Sequence, residues 1–152
     1  MDNDRKRSRY QRLHVQLAGL LGKTPDPQAR MATVAALLYH KFDHYFWCGF
    51  YRLVAGDLVV GPYQGPLACQ VLARGQGVCW QAAKRGETVI VPDVHKFPGH
   101  IACDSRSLSE IVVPLRGPDG TVIAVLDVDS DKPDQFDEED RQGLEAIVAL
   151  LR

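Results

Sequence analysis

A polar loop between two apolar, strand-like runs holds most of the side chains in this chain that could do chemistry. The loop runs from Val91 to Glu110 and contains one cysteine, two histidines and several acids, namely Cys103, His95, His100, Asp104 and Glu110. Because the backbone polar groups of a loop need partners, such a segment lies at the surface and presents its side chains to ligands. We therefore expect reactive groups of this protein to meet at this loop.

Cys103 is the best candidate nucleophile in the loop. His100 and Arg106 each lie three residues away from it, and either of them could favour the thiolate form of the sulfur. Asp104 has the opposite effect, because a neighbouring negative charge disfavours a thiolate. A lone loop cysteine is about as often structural as reactive, so this assignment needs support from the other cysteines.

Three further cysteines complete the set. Cys69 and Cys79 both lie near glycines, and they favour a redox function because a sulfenic acid at Cys103 would need a second thiol to resolve it. Cys48 lies inside an alternating apolar run, so we expect it to be a small buried side chain.

Zinc binding is the alternative use of the same residues. His95, His100 and Cys103, together with Cys69 or Cys79, supply enough nitrogen and sulfur ligands for zinc. The spacing does not support this alternative, because the chain has no C-x-x-C pair and no pair of histidines four residues apart on a helix. We therefore predict no metal site.

Acids and aromatic residues on neighbouring strands are candidates for a binding pocket. Asp127 and Asp129 share one face of a predicted strand, and Glu110 begins the strand before it. Acids among apolar residues are suited to proton transfer or to the binding of an amine. The alternative is a purely structural role, in which they mark the end of the strand and the start of the following turn. Trp47 and Tyr51 also share one face of a strand, where they could form either a pocket wall or part of the core.

The elements that position these residues follow from apolar periodicity and from turn residues. The sequence predicts a first helix that ends near Gly22, a second that begins at Pro27 with Asp26 as its cap, a short one over Val78 to Lys84, and a last one after Asp137. Six strand-like runs cover 46–54, 58–63, 67–72, 88–91, 109–115 and 121–130, and hairpins join several of them. The predicted fold class is α+β with a central antiparallel sheet of about six strands.

The length, composition and net charge of the chain argue against several classes of function. The 152 residues suit a single domain, and no apolar run approaches the roughly 20 residues of a membrane-spanning helix. With 18 basic and 19 acidic residues, the net charge of -1 provides no general attraction for nucleic acid. The N-terminus lacks the apolar segment of a secretory signal, so we expect a cytoplasmic protein that binds neither nucleic acid nor membrane.

Several motifs together resemble one known family, the free methionine-(R)-sulfoxide reductases, which are single GAF domains. The motifs are Trp47-Cys-Gly-Phe-Tyr51, Gly61-Pro-Tyr-Gln-Gly65, Gly75-Gln-Gly-Val-Cys79, the loop from Val91 to Ser105, Ser109-Glu-Ile-Val-Val-Pro114 and Val125-Leu-Asp-Val-Asp-Ser130. The resemblance covers nearly everything from Pro27 to the C-terminus. It implies a single GAF domain over residues 1–152, with the N- and C-terminal helices packed on one side of the sheet.

The resemblance also implies an activity and roles for the cysteines. The protein is expected to reduce free L-methionine-(R)-sulfoxide without a bound cofactor, and Cys103 matches the family nucleophile. Cys69 matches the expected resolving thiol and Cys79 a second possible partner. The disulfide that the resolving thiol forms with Cys103 is expected to be reduced by thioredoxin. Family resemblance further implies that the protein can be a homodimer.

The pocket residues match the family as well. Glu110 and Asp129 match the acids expected to protonate the sulfoxide, and both, with Asp127, match the acids expected to bind substrate. Trp47 and Tyr51 match the aromatic wall. The chain departs from the family pattern in having Phe46, Cys48 and Trp80. A non-catalytic GAF module that senses a small molecule or redox state is the alternative, since a fold alone does not determine a function.

Overall fold

Two helices form the N-terminal part of the chain in this computed structural model, which describes residues 1–100 and 103–152. Helix α1 spans Asn3–Leu21 and helix α2 spans Pro27–Lys41. Each begins where an aspartate side chain accepts an N–H from the first helical turn, Asp2 in α1 and Asp26 in α2. The predicted end of the first helix and the predicted start of the second are both confirmed.

The remaining elements form one antiparallel sheet and two further helices. The strands are β1 (Trp47–Val54), β2 (Asp57–Gln64), β3 (Val89–Val91), β4 (Ser109–Arg116) and β5 (Val122–Ser130), and the helices are α3 (Gly77–Arg85) and α4 (Glu138–Ala149). The strand order across the sheet is β2-β1-β5-β4-β3, and all neighbouring strands are antiparallel. Asp137 caps α4 in a reciprocal capping box with Asp140, as the sequence predicted for the start of this helix.

The sheet has five strands rather than the six expected, because the run 67–72 is not a strand. This segment makes a single bridge to β2, between Val71 and Val59. Pro66, just before this segment, has no N–H to donate to a neighbouring strand. Its carbonyl accepts a hydrogen bond from the Trp47 side chain rather than from the backbone of a strand. The segment is therefore an irregular connection beside β2, which is an edge strand of the sheet.

The sheet separates two apolar clusters, one on each face. On the first face, alternate strand residues such as Cys48, Phe50 and Leu126 pack against α1, α2 and α4. The expected packing of the N- and C-terminal helices on one side is thus confirmed. On the second face, Val112 and Val125 pack with α3 and the loops.

A buried polar network ties α1 to α4 on the helical side. The Lys6 ammonium donates to the Asp140 carboxylate at 2.6 Å, and the Tyr10 hydroxyl donates to the other oxygen of that carboxylate at 2.6 Å. Tyr45 completes the network through a 2.6 Å hydrogen bond with Tyr10. Arg7, by contrast, pairs with Glu139 at the surface, where its side chain is 53% exposed.

None of the helices in the described ranges combines the length and the apolar character needed to cross a bilayer. Ile101 and Ala102, which belong to the polar loop predicted from the sequence, lie outside the described residues.

Candidate active site

Three carboxyl groups meet on the second face of the sheet, the one that α3 covers. Asp127 and Asp129 alternate along β5, and Glu110 on β4 pairs directly with Asp129. Across the other edge of β5, Trp47 of β1 pairs with the same Asp129. Because residues two apart on a strand share a face, this register brings the predicted acids and the predicted tryptophan together.

An aromatic wall stands beside the acids. The Trp47 ring lies between those of Tyr51 and Tyr63, with centroids 5.8 Å and 5.2 Å away. Its Nε1 donates to the carbonyl of Pro66 at 3.1 Å, and the Tyr51 hydroxyl donates to the carbonyl of Cys69 at 3.2 Å. The wall thus holds the irregular segment that carries Cys69.

Tyr63 is a member of the wall that the sequence analysis missed. It pairs with Gly49 across β1 and β2, and a Cβ on Gly49 would overlap both the Tyr63 Cβ and the Trp47 ring. The signal in the sequence was Gly49 itself, since a glycine inside a strand often marks the close approach of a neighbouring side chain.

A disulfide joins Cys69 to Cys103, 34 residues apart, with their Cα atoms at 5.6 Å. Cys103 is exposed and Cys69 is half-buried. Cys79 is a free, buried thiol in the first turn of α3, on the same side of the sheet as the disulfide. Cys48 is also free and buried, but it belongs to the opposite apolar cluster, as predicted.

Cys79 and Cys103, the three carboxyl groups, Trp47 and Tyr51 line one cleft of about 610 Å³, counted with its open mouth. Cys69, the disulfide partner of Cys103, is not among the lining residues. The cleft contains predicted residues, namely Trp47, Tyr51, Cys79, His100, Cys103, Asp104, Glu110, Asp127 and Asp129. It also contains residues that the sequence analysis did not single out as site residues, among them Phe46, Leu67, Gln76, Gly77 and Ser107.

Burial strongly perturbs the acids of the cleft. It raises the pKa of Glu110 well above its usual range, and the charges of Asp127 and Asp129 raise it further. Burial also raises the pKa of Asp129, again with a contribution from Asp127. At Asp127, burial raises the pKa, while the adjacent side chains of Glu110, Cys79 and Asp129 oppose the rise. Burial therefore favours the protonated forms of all three acids, and Asp127 is the position whose neighbours favour a negative charge.

The polar loop closes over this cleft through a charged and aromatic contact. Arg106 makes a two-pronged ion pair with Asp104 and lies over the Phe46 ring, 4.9 Å from its centroid. Its charge is therefore shared with Asp104 next to Cys103. Phe46, one of the departures from the family pattern, has a defined structural use here.

The histidines of the loop do not assemble with the cysteines as zinc ligands. His100 lines the cleft, and partial burial lowers the pKa of its ring. His95 lies in a short 3₁₀ turn, Val94–Lys96, with an exposed side chain. Within the described residues, the only cluster with ligand atoms close enough to share a metal ion contains no histidine.

Comparison with known proteins places this geometry in a family. Residues 25–152 match the GAF domain family. The free methionine-R-sulfoxide reductase of Escherichia coli is 42% identical over 142 residues, which cover 93% of this chain and 86% of the other. A solved structure of the free methionine-R-sulfoxide reductase of Neisseria meningitidis, in complex with its substrate, superimposes with a TM-score of 0.93 at 43% identity, and covers 99% of this chain and 89% of that one.

This chain belongs to the free methionine-R-sulfoxide reductase family of GAF domains. A further relative, GAF domain-containing protein A of Dictyostelium discoideum, is 48% identical over 147 residues, covering 96% of this chain and 92% of the other. The family match begins at residue 25, so α1 precedes it. Membership in the reductase family confirms both the resemblance drawn from the motifs and the expected GAF fold.

Proposed function

We propose that this protein reduces free L-methionine-(R)-sulfoxide to L-methionine with electrons from an external dithiol such as thioredoxin. The observation that carries the proposal is the disulfide between Cys69 and Cys103 at a cleft that also holds three carboxyl groups, of which Glu110 and Asp127 are buried and Asp129 is half-buried. A thiol pair supplies two electrons, and a protonated carboxyl group supplies the acid that a sulfoxide oxygen needs.

In the first step, the Cys103 thiolate attacks the sulfoxide. The oxygen is transferred to Cys103, which becomes a sulfenic acid, and the substrate sulfur gains two electrons and leaves as the thioether of methionine. In the second step, the Cys69 thiol attacks the sulfenic acid, a disulfide forms and one water is released. The observed pairing supports Cys69 as the resolving thiol, since Cys79 remains free.

Glu110 and Asp129 are the acids suited to polarise the sulfoxide oxygen. Burial and the nearby Asp127 raise the pKa of each, so both favour the protonated form that can donate to the oxygen. Asp127 is the better position for a carboxylate, because its neighbouring side chains favour its charged form, and it can pair with the substrate ammonium. One cluster can thus both bind the substrate and donate a proton to it.

The start of α3 is suited to bind the α-carboxylate of the substrate, which shares a carbon atom with the ammonium. Gln76, the N-cap residue, makes no side-chain capping bond, so the first N–H groups of the helix are not occupied by a cap. Gln76 and Gly77 both line the cleft. A free amino acid carries an α-carboxylate for these N–H groups and an ammonium for the acids, whereas a methionine within a peptide carries neither. The aromatic wall of Trp47 and Tyr51 would hold the methyl end.

Turnover requires the disulfide to be reopened by thiol–disulfide exchange. An external thiolate must reach one of the two sulfurs, and Cys103 lies in an exposed position of the loop. A thioredoxin-type dithiol can therefore complete the cycle. No bound cofactor enters any of these steps.

The decisive experiment measures methionine formed from separated R and S epimers of the free sulfoxide, with thioredoxin or a small dithiol as reductant. We expect turnover of the R epimer only, and no methionine from Cys103→Ser protein even in a single turnover. Cys48→Ser is the matched control, because it removes a buried thiol on the opposite face of the sheet. Full activity of Cys103→Ser would refute the assignment of the nucleophile.

A non-catalytic sensing module is the competing function. It predicts tight binding of some metabolite with no sulfoxide reduced by stoichiometric reduced protein. The same experiment therefore distinguishes the two.

A further inference from the structure

Cys79, Glu110 and Asp127 form a compact group at the bottom of the cleft. One ligand atom from each lies within 4.8 Å of the other two, and all three side chains are buried. Only small movements would bring three such atoms onto one ion, since zinc binds sulfur at about 2.3 Å and carboxylate oxygen at about 2.0–2.2 Å.

One oxygen in this group has no partner. Asp127 is only 5% exposed, and its Oδ1 accepts no hydrogen bond from any residue that the structure describes. A buried carboxylate oxygen without a donor is costly and therefore calls for a ligand. The ligand must be positively charged or a hydrogen-bond donor.

The donor set selects the chemical class of that ligand. A thiolate is a soft ligand that magnesium and calcium avoid, whereas zinc and cadmium bind sulfur together with carboxylate oxygen. Three protein ligands leave a fourth, open position for water, as in metal sites that exchange their ligands. We infer that Cys79, Glu110 and Asp127 bind a thiophilic divalent cation of the zinc and cadmium class, which blocks the cleft.

The cation takes the place of protons. In the metal-free cluster, burial raises the pKa of the Cys79 thiol and of the Glu110 carboxyl, so burial favours the protonated form of both groups. A divalent ion compensates the negative charge of the deprotonated ligands, and its binding releases protons. Inhibition follows because the ion occupies the carboxylates assigned above to the substrate, so this part of the inference rests on the proposed function.

The disulfide form of the protein isolates the site for an experiment. The chain has four cysteines, and with Cys69 and Cys103 joined only Cys79 and Cys48 remain as thiols. Titration of this form with cadmium chloride should produce the ultraviolet absorption of a cadmium thiolate at one equivalent. The band should vanish in Cys79→Ser and in Cys79→Ala, and it should persist in Cys48→Ser. Asp127→Asn should weaken the apparent affinity at least about tenfold, because it replaces an anionic ligand.

Several outcomes would overturn the inference. A cadmium band of full size in both Cys79 variants, or its loss in Cys48→Ser, would place the metal elsewhere. No band in the parent protein at millimolar cadmium would remove the site altogether. Unchanged affinity in Asp127→Asn would refute the role of the carboxylate.

A competition arm separates this inference from the proposed function. Free methionine sulfoxide added to the disulfide form should raise the cadmium concentration needed for half-saturation, because both ligands need the same carboxylates. If the sulfoxide is reduced in the turnover experiment but does not compete, the blocking role is wrong. If the band forms as expected and no sulfoxide is ever reduced, the proposed function fails while the metal site stands.

Discussion

Opening the Cys69–Cys103 disulfide should lower the stability of the protein by an amount that follows from the length of the loop it closes. The two cysteines are 34 residues apart. In the chain-entropy description, a cross-link over that length removes about 12.6 cal/mol/K of entropy from the unfolded chain, or about 3.8 kcal/mol at 25 °C. The unfolding entropy of a 152-residue chain is about 320 cal/mol/K. Dividing the lost free energy by this entropy predicts that the midpoint temperature of thermal unfolding falls by about 12 °C when the disulfide is reduced.

Thermal unfolding of the oxidised and reduced forms, followed by circular dichroism or calorimetry, measures this difference. Cys69→Ser should give one midpoint whether or not reductant is present, and Cys79→Ser should keep the full difference, because Cys79 lies outside the bond. A difference below about 3 °C in the parent protein would show that the bond does not constrain the unfolded chain as reasoned.

Three further predictions concern the scaffold. Gly49→Ala should lower the free energy of unfolding, measured with denaturant, by at least about 2 kcal/mol, because the Cβ of the alanine would overlap the aromatic wall. An unchanged denaturant midpoint would contradict that packing. Lys6→Met should lower the free energy of unfolding by about 3–5 kcal/mol, because it leaves the buried Asp140 carboxylate without its ion-pair partner. Arg7→Met, which removes an exposed ion pair, should lower it by less than about 1 kcal/mol. Equal losses in the two variants would refute this contrast. Burial lowers the pKa of His44 from 6.5 to about 4. Between these two pH values the unfolded chain binds a proton that the folded chain does not, so the free energy of unfolding should decrease as the pH falls from 6.5 to about 4. His44→Gln should flatten that part of the stability–pH curve.

Local features of the chain were predictable because their causes are local. The Asp26-Pro27 start of α2, the Asp137 cap of α4 and the hairpin that joins β1 to β2 each depend on a few neighbouring residues. The prediction of a strand over 67–72 was wrong because it used local composition alone. The composition of this run suits a strand, but its backbone is held by side chains of distant residues, Trp47 and Tyr51.

The candidate site was predictable in part. Alternation along β5 placed Asp127 and Asp129 on one face, and the family motifs selected Cys103 and Glu110. Tyr63 was not found, because its contact with the wall depends on the pairing of β1 with β2 across Gly49. Which strands pair, and in which register, depends on the tertiary structure and can hardly be inferred from the residues of one strand alone.

The sequence by itself therefore determined the fold class and the family, and it predicted which side chains are candidates for the reaction. Only the tertiary structure decided that Cys103 pairs with Cys69, and that Cys79 instead joins Glu110 and Asp127 beneath the cleft. The physical reason is that spacing along a chain sets which face a side chain occupies, whereas strand order and packing across the sheet set which faces meet.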